Sequence, residues 1–368
     1  MAEPFKNLYD ATFFGALIAA LQQVWPSFDE ASFLAFIHDE QWAERGLKQR
    51  MRHIAQGMQC QLPRAYPESI LIITQTIQQL QRNGVQERSV EYMCLPEFVE
   101  LFGLAHYELS VRALEHITRF TSCEFAARPF LVAYPEQMMA QLLAWSRHGH
   151  EKVRRLASEG CRPRLPWAAG LPALQHQPAP ILPILANLMD DESTFVRRSV
   201  ANNLNDIAKD HPEVVVAWTK QWQGKSARVD WVVQHACRTL LKQGQAEVLK
   251  LFGFGVPAYL GITHLRLQPS TGRIGQHLTF TFQVYNGGIA AANVRLEYGL
   301  YYRKANGSLS RKVFKISERE YAGKTSKTII RRHSFQVVST RKYHPGCYQL
   351  SVIVNGTEFG CQDFLLSP

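Results

Sequence analysis

Several familiar signatures are missing from this sequence. It has no GxxxxGK[ST] phosphate loop, no GxGxxG following a strand, and neither HExxH nor GxSxG. Those absences exclude the common phosphate-loop, dinucleotide-binding, zincin and α/β-hydrolase chemistries. The seven cysteines are scattered, odd in number and free of any CxxC, and the thirteen histidines show no metal-ligand spacing. Structural zinc and a disulfide scaffold are therefore not expected, and the cysteine usage fits a reducing cytoplasm. No apolar run reaches the roughly 18 residues of a membrane span. The first ten residues, MAEPFKNLYD, carry acids where a signal peptide has a basic start, so no secretory leader is expected.

Acidic residues are scarce at one end. Residues 258–368 hold fifteen Lys and Arg against five Asp and Glu, an excess equal to the net charge of +10 of all 368 residues. The first 257 residues balance at 26 of each. So one-sided a charge suggests a polyanion partner, most simply nucleic acid, as against a solubilising charge on a solvated surface.

What is present is a repeat. Val153-Arg154-Arg155-Leu156-Ala157 is echoed 43 residues later by Val196-Arg197-Arg198-Ser199-Val200, and more faintly by Val232-Val233-Gln234-His235-Ala236. A period near 40 residues with a V-R-x-x-A core is the pattern of HEAT-type helix pairs, which bury their apolar faces by stacking. The expected fold is mainly α: an α-solenoid over residues 1–256, then an all-β immunoglobulin-like sandwich over residues 257–368. Helical spacing runs through Phe13, Leu17, Leu21 and Val24, through Phe33, Phe36 and Ile37, and through Leu47, Met51, Ile54 and Ala55. Pro63 and Pro67 interrupt it, and Asn83-Gly84 ends the next helix. The segments Ser89–Leu104 and Glu108–Phe120 continue the alternation of short helix and loop. Phe252–Leu260, FGFGVPAYL, marks the boundary. Beyond it about seven alternating segments, with turns at Asn286-Gly287-Gly288 and Asn355-Gly356, fit a sandwich.

Placing Val153 and Val196 at zero and turning about 100° per residue puts Ala157 and Val200 near 40°, the core stripe. On the same construction Arg155 and Arg198 fall at about 200°, Glu159 and Asn202 at about 240°, and Asp206 at about 280°. Stacked helices would align these residues along one face, although ordinary solvated i,i+4 pairs have the same spacing. The loop Arg162–Pro180 holds five prolines, adds Arg162 and Arg164 to the basic residues, and presents Trp167. Such a loop suits phosphate clamping beside a stacking platform; Trp167 could equally anchor the core between repeats. Thr121-Ser122-Cys123-Glu124 reads as a capping box, which would make Glu124 a helix cap.

EKVRRLASEGCRPRLPW and DESTFVRRSVANNLNDIAKDHPE resemble the AlkC branch of the HEAT-like-repeat DNA alkylation repair glycosylases. The C-terminal segment is similar to the immunoglobulin-like domain some members carry. The resemblance implies catalytic roles for Glu159, Asp206 and Trp167, with Glu124 a third carboxylate, and a DNA contact at Arg155. Lys152, Arg162, Arg164, Arg198, Arg331 and Arg332 complete the expected DNA-binding set. It further implies a monomeric bacterial protein of the cytoplasm, associated with the nucleoid. The protein would act without metal or cofactor on double-stranded DNA containing alkylated bases. It would excise cationic bases such as 3-methyladenine and 3-methylcytosine without full base flipping. The basic sandwich would close on the DNA. The rival readings are a HEAT-type scaffold and a non-catalytic sensor of damaged DNA.

Overall fold

The computed structural model describes residues 5–87, 90–255, 259–338 and 341–368. Ser89 and the Val256, Pro257 and Ala258 of the boundary segment lie outside the described residues. The chain forms two compact units, one of residues 1–210 with 223–236, the other of residues 211–222 with 237–368. No helix among the described residues is long and apolar enough to cross a membrane. All seven cysteines are free.

The first unit is helical. Its helices are α1 (Ala11–Val24), α2 (Glu30–Ile37), α3 (Leu47–Gln61), α4 (Tyr66–Arg82), α5 (Cys94–Phe102) and α6 (Tyr107–Ile117). They continue with α7 (Glu124–Ala133), α8 (Pro135–Trp145), α9 (Glu151–Gly160), α10 (Pro172–His176), α11 (Leu182–Leu188) and α12 (Thr194–Ile207). After α13 (Pro212–Trp222), which belongs to the second unit, α14 (Ala227–Ala236) rejoins the first. The starts follow local chemistry: Asp10 accepts the Phe13 amide at 2.9 Å, and Asp29 accepts those of Ala31 and Ser32. Asn83-Gly84 ends α4 as its composition predicts. Gly84 sits at φ +87, and the Gly84 and Val85 amides donate back to Gln81 and Leu80. The capping-box expectation is not met. Helix α7 starts at Glu124 with Cys123 as its N-cap and no side-chain cap bond, which leaves the Glu124 carboxylate free to point elsewhere.

Helices α3 and α5 pack together and bury Glu97, whose carboxylate lies 3.3 Å from Arg52. Burial, then the neighbouring Glu100, push its pKa up to about 7, with Arg52 and Lys48 opposing. A carboxyl raised in the folded state favours folding at low pH, and that contribution is lost as pH rises from the ordinary value of 4.5 through about 7. Glu97→Gln should therefore flatten the stability of this unit between pH 5 and pH 8. At pH 8 it should be ~2 kcal/mol more stable than wild type in thermal melts. An unchanged pH profile would show that Arg52 already compensates the charge.

In the second unit α13, α15 (Arg238–Gln243) and α16 (Ala246–Leu251) accompany eight strands: β1 (Leu260–Gln268), β2 (Thr271–Arg273), β3 (His277–Asn286), β4 (Ala292–Arg303), β5 (Leu309–Tyr321), β6 (Thr325–Ser334), β7 (Gly346–Val354) and β8 (Thr357–Ser367). They form a three-stranded sheet, β1-β3-β6, and a five-stranded sheet, β2-β8-β7-β4-β5. Phe280, Phe282, Leu300, Phe335, Tyr348 and Leu350 fill the space between with no exposed surface. Asn355 and Gly356, at φ +48 and +80, make the tight turn joining β7 to β8. Gly356 packs against Gly244, itself at φ +74. A Cβ on Gly356 would lie 2.9 Å from the Gly244 Cα and 2.6 Å from Leu249, so both the turn and the approach demand glycine.

The acids of the sandwich lie on one sheet. Glu297, Glu318, Glu320, Glu358 and Asp363, the five acids of residues 258–368, all lie on β4, β5 and β8. Glu297 and Glu318 pair with Arg295, and Glu358 pairs with Arg311. The three-stranded sheet has no acid. Its outer face, away from Leu278, Phe280, Phe282 and Val284, carries Thr279, Thr281 and Gln283 of β3 between the exposed Arg266 of β1 and Arg332 of β6. Strand alternation sends Arg331 the other way, where it is half-buried.

Candidate active site

Helices α9 and α12 pack on one another as the repeat implies. Val153, Leu156, Ala157, Val196, Val200 and Leu204 are wholly buried. The interface also holds small polar side chains. Ser199 Oγ accepts from Ser158 Oγ at 3.1 Å, and Asn203 Nδ2 donates to the Ser158 carbonyl at 2.8 Å. These small residues make room for charges beside them.

Of the polar stripe, the two carboxylates turn inward while Arg198 stays exposed. Glu159 is 6% exposed and Asp206 1%. The reason is a chain of alternating charges assembled from α7, α9, the loop after α9, and α12. Glu124, the first residue of α7, receives the Arg155 guanidinium through both oxygens, at 3.1 and 3.2 Å. Arg155 lies 3.8 Å from Glu159 on the next turn of α9. Glu159 Oε1 accepts from Arg162 Nη1 at 2.7 Å, while its Oε2 accepts from Ser199 Oγ at 2.5 Å. Arg162 also reaches Asp206 Oδ2, from Nε and Nη2 at 2.9 Å each. Lys209 Nζ closes the chain on Asp206 Oδ1, at 2.9 Å. Three carboxylates from three helices thus share two guanidiniums and an ammonium, which is the condition for keeping such charges buried.

Burial alone would lower the pKa of both arginines. Glu124 and Glu159 instead raise Arg155 above its ordinary value, and Glu159 and Asp206 raise Arg162. Both stay charged.

The other expected contacts divide. Arg162 is buried and committed to carboxylates. Lys152 is 6% exposed, its ammonium 2.6 Å from both Glu87 and the Arg119 carbonyl. These two build the site from within. Arg164 is exposed and pairs with Asp210 at 2.6 Å; Arg198 is exposed and forms no ion pair among the described residues. Of the Arg154-Arg155 pair, only the second enters the site, since Arg154 binds Asp191 at 2.6 Å. A cavity of about 220 Å³ opens beside Arg155, between Phe195, Phe120 and Lys152.

Trp167 is 65% exposed, so it does not anchor the core. Its backbone is left-handed, φ +64, a strain of about 1 kcal/mol for a non-glycine residue. Lys48 Nζ donates to its carbonyl at 3.2 Å while lying 4.5 Å over the Phe125 ring, next to Glu124, and Phe5 meets the indole edge-on at 6.2 Å. The loop itself is braced by Arg128, whose Nη1 donates to the Arg162 carbonyl at 2.9 Å and whose Nη2 donates to that of Ala169. Arg128, Ser199 and Lys48 are residues that repeat spacing did not single out. The signal for Arg128 was its place one turn after Glu124; Ser199 and Lys48 carried none. No group of three or more His, Cys, Asp or Glu among the described residues is placed to hold a metal.

The sequence signature described as "DNA alkylation repair enzyme" matches residues 85–242, and that of the "Uncharacterised protein YhaZ, C-terminal Ig-like domain" matches residues 261–368. The chain is 42% identical to the uncharacterized protein YhaZ of Bacillus subtilis (strain 168), over 98% of each chain. It superposes with a TM-score of 0.92 and 33% identity, over 99% of each chain, on the Pseudomonas fluorescens alkylpurine DNA glycosylase AlkC bound to DNA containing an abasic site analog.

Proposed function

Because this chain belongs to the AlkC-type family of DNA alkylation repair enzymes with a C-terminal Ig-like domain, we propose that it is a DNA glycosylase that excises cationic alkylated bases. The observation that carries the reading is the shared network in which Glu124, Glu159 and Asp206 converge through Arg155 and Arg162. Carboxylates repel phosphate, so such a cluster serves DNA binding poorly and cation stabilisation well. An N-alkylated base with a positive charge is already a good leaving group and needs no strong general acid. Breaking its glycosidic bond leaves positive charge on the deoxyribose. Preorganised carboxylates stabilise that charge and orient the attacking water. Each carboxylate has about four lone-pair sites, so the pairing described above leaves room for a water or a substrate atom. The exposed indole of Trp167 adds cation–π attraction of roughly 1–2 kcal/mol to base or sugar.

In this reading the helical unit is a HEAT-type solenoid, with α9 and α12 as equivalent members of successive repeats. The lesion reacts at its surface without full base flipping, and 3-methyladenine and 3-methylcytosine are both substrates. A side-by-side excision assay on duplexes holding each lesion tests this. Release of neither base sinks it and leaves the damaged-DNA sensor, the reading that the ion pairing of every carboxylate in the network favours.

The acid-free sheet of the second unit supports DNA as the partner. Arg266 and Arg332 share its outer face and have no carboxylate beside them among the described residues, so both are available to phosphates. Reversing both charges (Arg266→Glu with Arg332→Glu) should weaken duplex binding at least about ten-fold at physiological salt. It should also reduce the slope of log affinity against log salt by about two. The half-buried Arg331→Gln should change the slope less. Equal slopes in all three proteins would remove this face from the interface.

A further inference from the structure

Asp206 is held by two cations of unlike kind. Arg162 is 8% exposed, contacts Oδ2 twice at 2.9 Å, and is fixed on its other side by Glu159. Lys209, three residues on and just past the end of α12, reaches Oδ1 at 2.9 Å with 41% of its side chain exposed. Its ammonium has no other hydrogen-bond partner among the described residues. Arg162 cannot leave without stranding two carboxylates. Lys209 can swing its ammonium into water, since 41% of its side chain is exposed, but the carboxylate it leaves is buried, so the exchange needs another positive group to take its place.

We propose that Lys209 is a displaceable counter-ion, occupying on Asp206 the place that the cationic base or sugar takes. The exchange balances charge only when the incoming group is itself positive. A neutral group leaves the ammonium on Asp206, because displacing it would strand a buried carboxylate. Lys209 thus keeps Asp206 paired until a positive group arrives, and competes with that group for the carboxylate. The inference rests on the reading above, in which Asp206 faces developing positive charge.

The experiment compares the affinity of the full-length protein for two duplexes. One carries a neutral tetrahydrofuran abasic analogue, the other a cationic pyrrolidine analogue at the same position. Taking the ratio of the two dissociation constants cancels any phosphate contact that Lys209 makes. Wild type should prefer the cationic analogue. Lys209→Met, which keeps the aliphatic stem, should raise that preference at least about three-fold, because the competing ammonium is gone. Lys209→Arg should leave it near the wild-type value. A wild-type preference that Lys209→Met leaves unchanged, or lowers, overturns the inference alone. No preference in wild type overturns it together with the placement of Asp206 against positive charge. Excision activity, measured separately, judges the glycosylase reading itself.

Discussion

Asp206→Asn and Glu159→Gln should each lower the rate of excision by about two to four powers of ten while leaving affinity for an abasic-site duplex within a few-fold of wild type. Both substitutions keep shape and remove one negative charge. Each also leaves Arg162 with a single carboxylate in place of two, so some loss of stability accompanies the loss of rate. Rates must therefore be measured under single-turnover conditions and corrected for the folded fraction from a melt. If Asp206→Asn and Glu159→Gln both excised at near-normal rates, the carboxylates would be structural and the chemistry would lie elsewhere. Glu124→Gln should cost less, since Glu124 touches Arg155 and not the Arg162 centre.

Arg162 carries the second large effect. Its guanidinium joins Glu159 on α9 to Asp206 on α12 in an environment that is nearly dry. Arg162→Met would leave two buried carboxylates facing one another with only Arg155 and Lys209 at the ends of the chain. Removing one partner of a buried pair costs about 3–5 kcal/mol. We expect that much destabilisation of the first unit in denaturant titrations, together with loss of excision below detection. Arg162→Lys should rescue part of the stability and little of the activity, because a single ammonium cannot hold both carboxylates in the fork geometry. A fully active, stable Arg162→Met protein would show that the network does not organise the site.

Local patterns in the sequence carried the framework well. The V-R-x-x-A echo located α9 and α12 and the core stripe of Val153, Ala157, Val196 and Val200, because burial of apolar side chains follows helical period directly. The direction of the polar stripe was not legible. Whether Glu159 and Asp206 face water or one another depends on Arg162, which meets Asp206 across 44 residues of sequence. Glu124 illustrates the same limit: T-x-x-E suggests a cap, but its real partner is Arg155, 31 residues away. In the second unit the alternating segments and the Asn355-Gly356 turn were plain. Strand β2 was not, because its parallel pairing with β8 joins residues more than ninety positions apart and leaves no short-range mark. Trp167 stood out as an aromatic among prolines, yet its exposure is set by Arg128 and Lys48, which hold the loop from distant helices.

Both sheets of the sandwich are net positive, but the three-stranded one, with four Lys and Arg and no acid, is more so than the five-stranded one, with seven against five, so the charge of that body is off-centre and acts as a dipole. In the field of a polyanion a dipole feels a torque as well as a pull, so it turns before it touches. Encounters then begin with the acid-free sheet leading, and fewer collisions are spent on unproductive orientations. That gain is one of rate, and it fades as added salt shortens the reach of the field to about 10 Å.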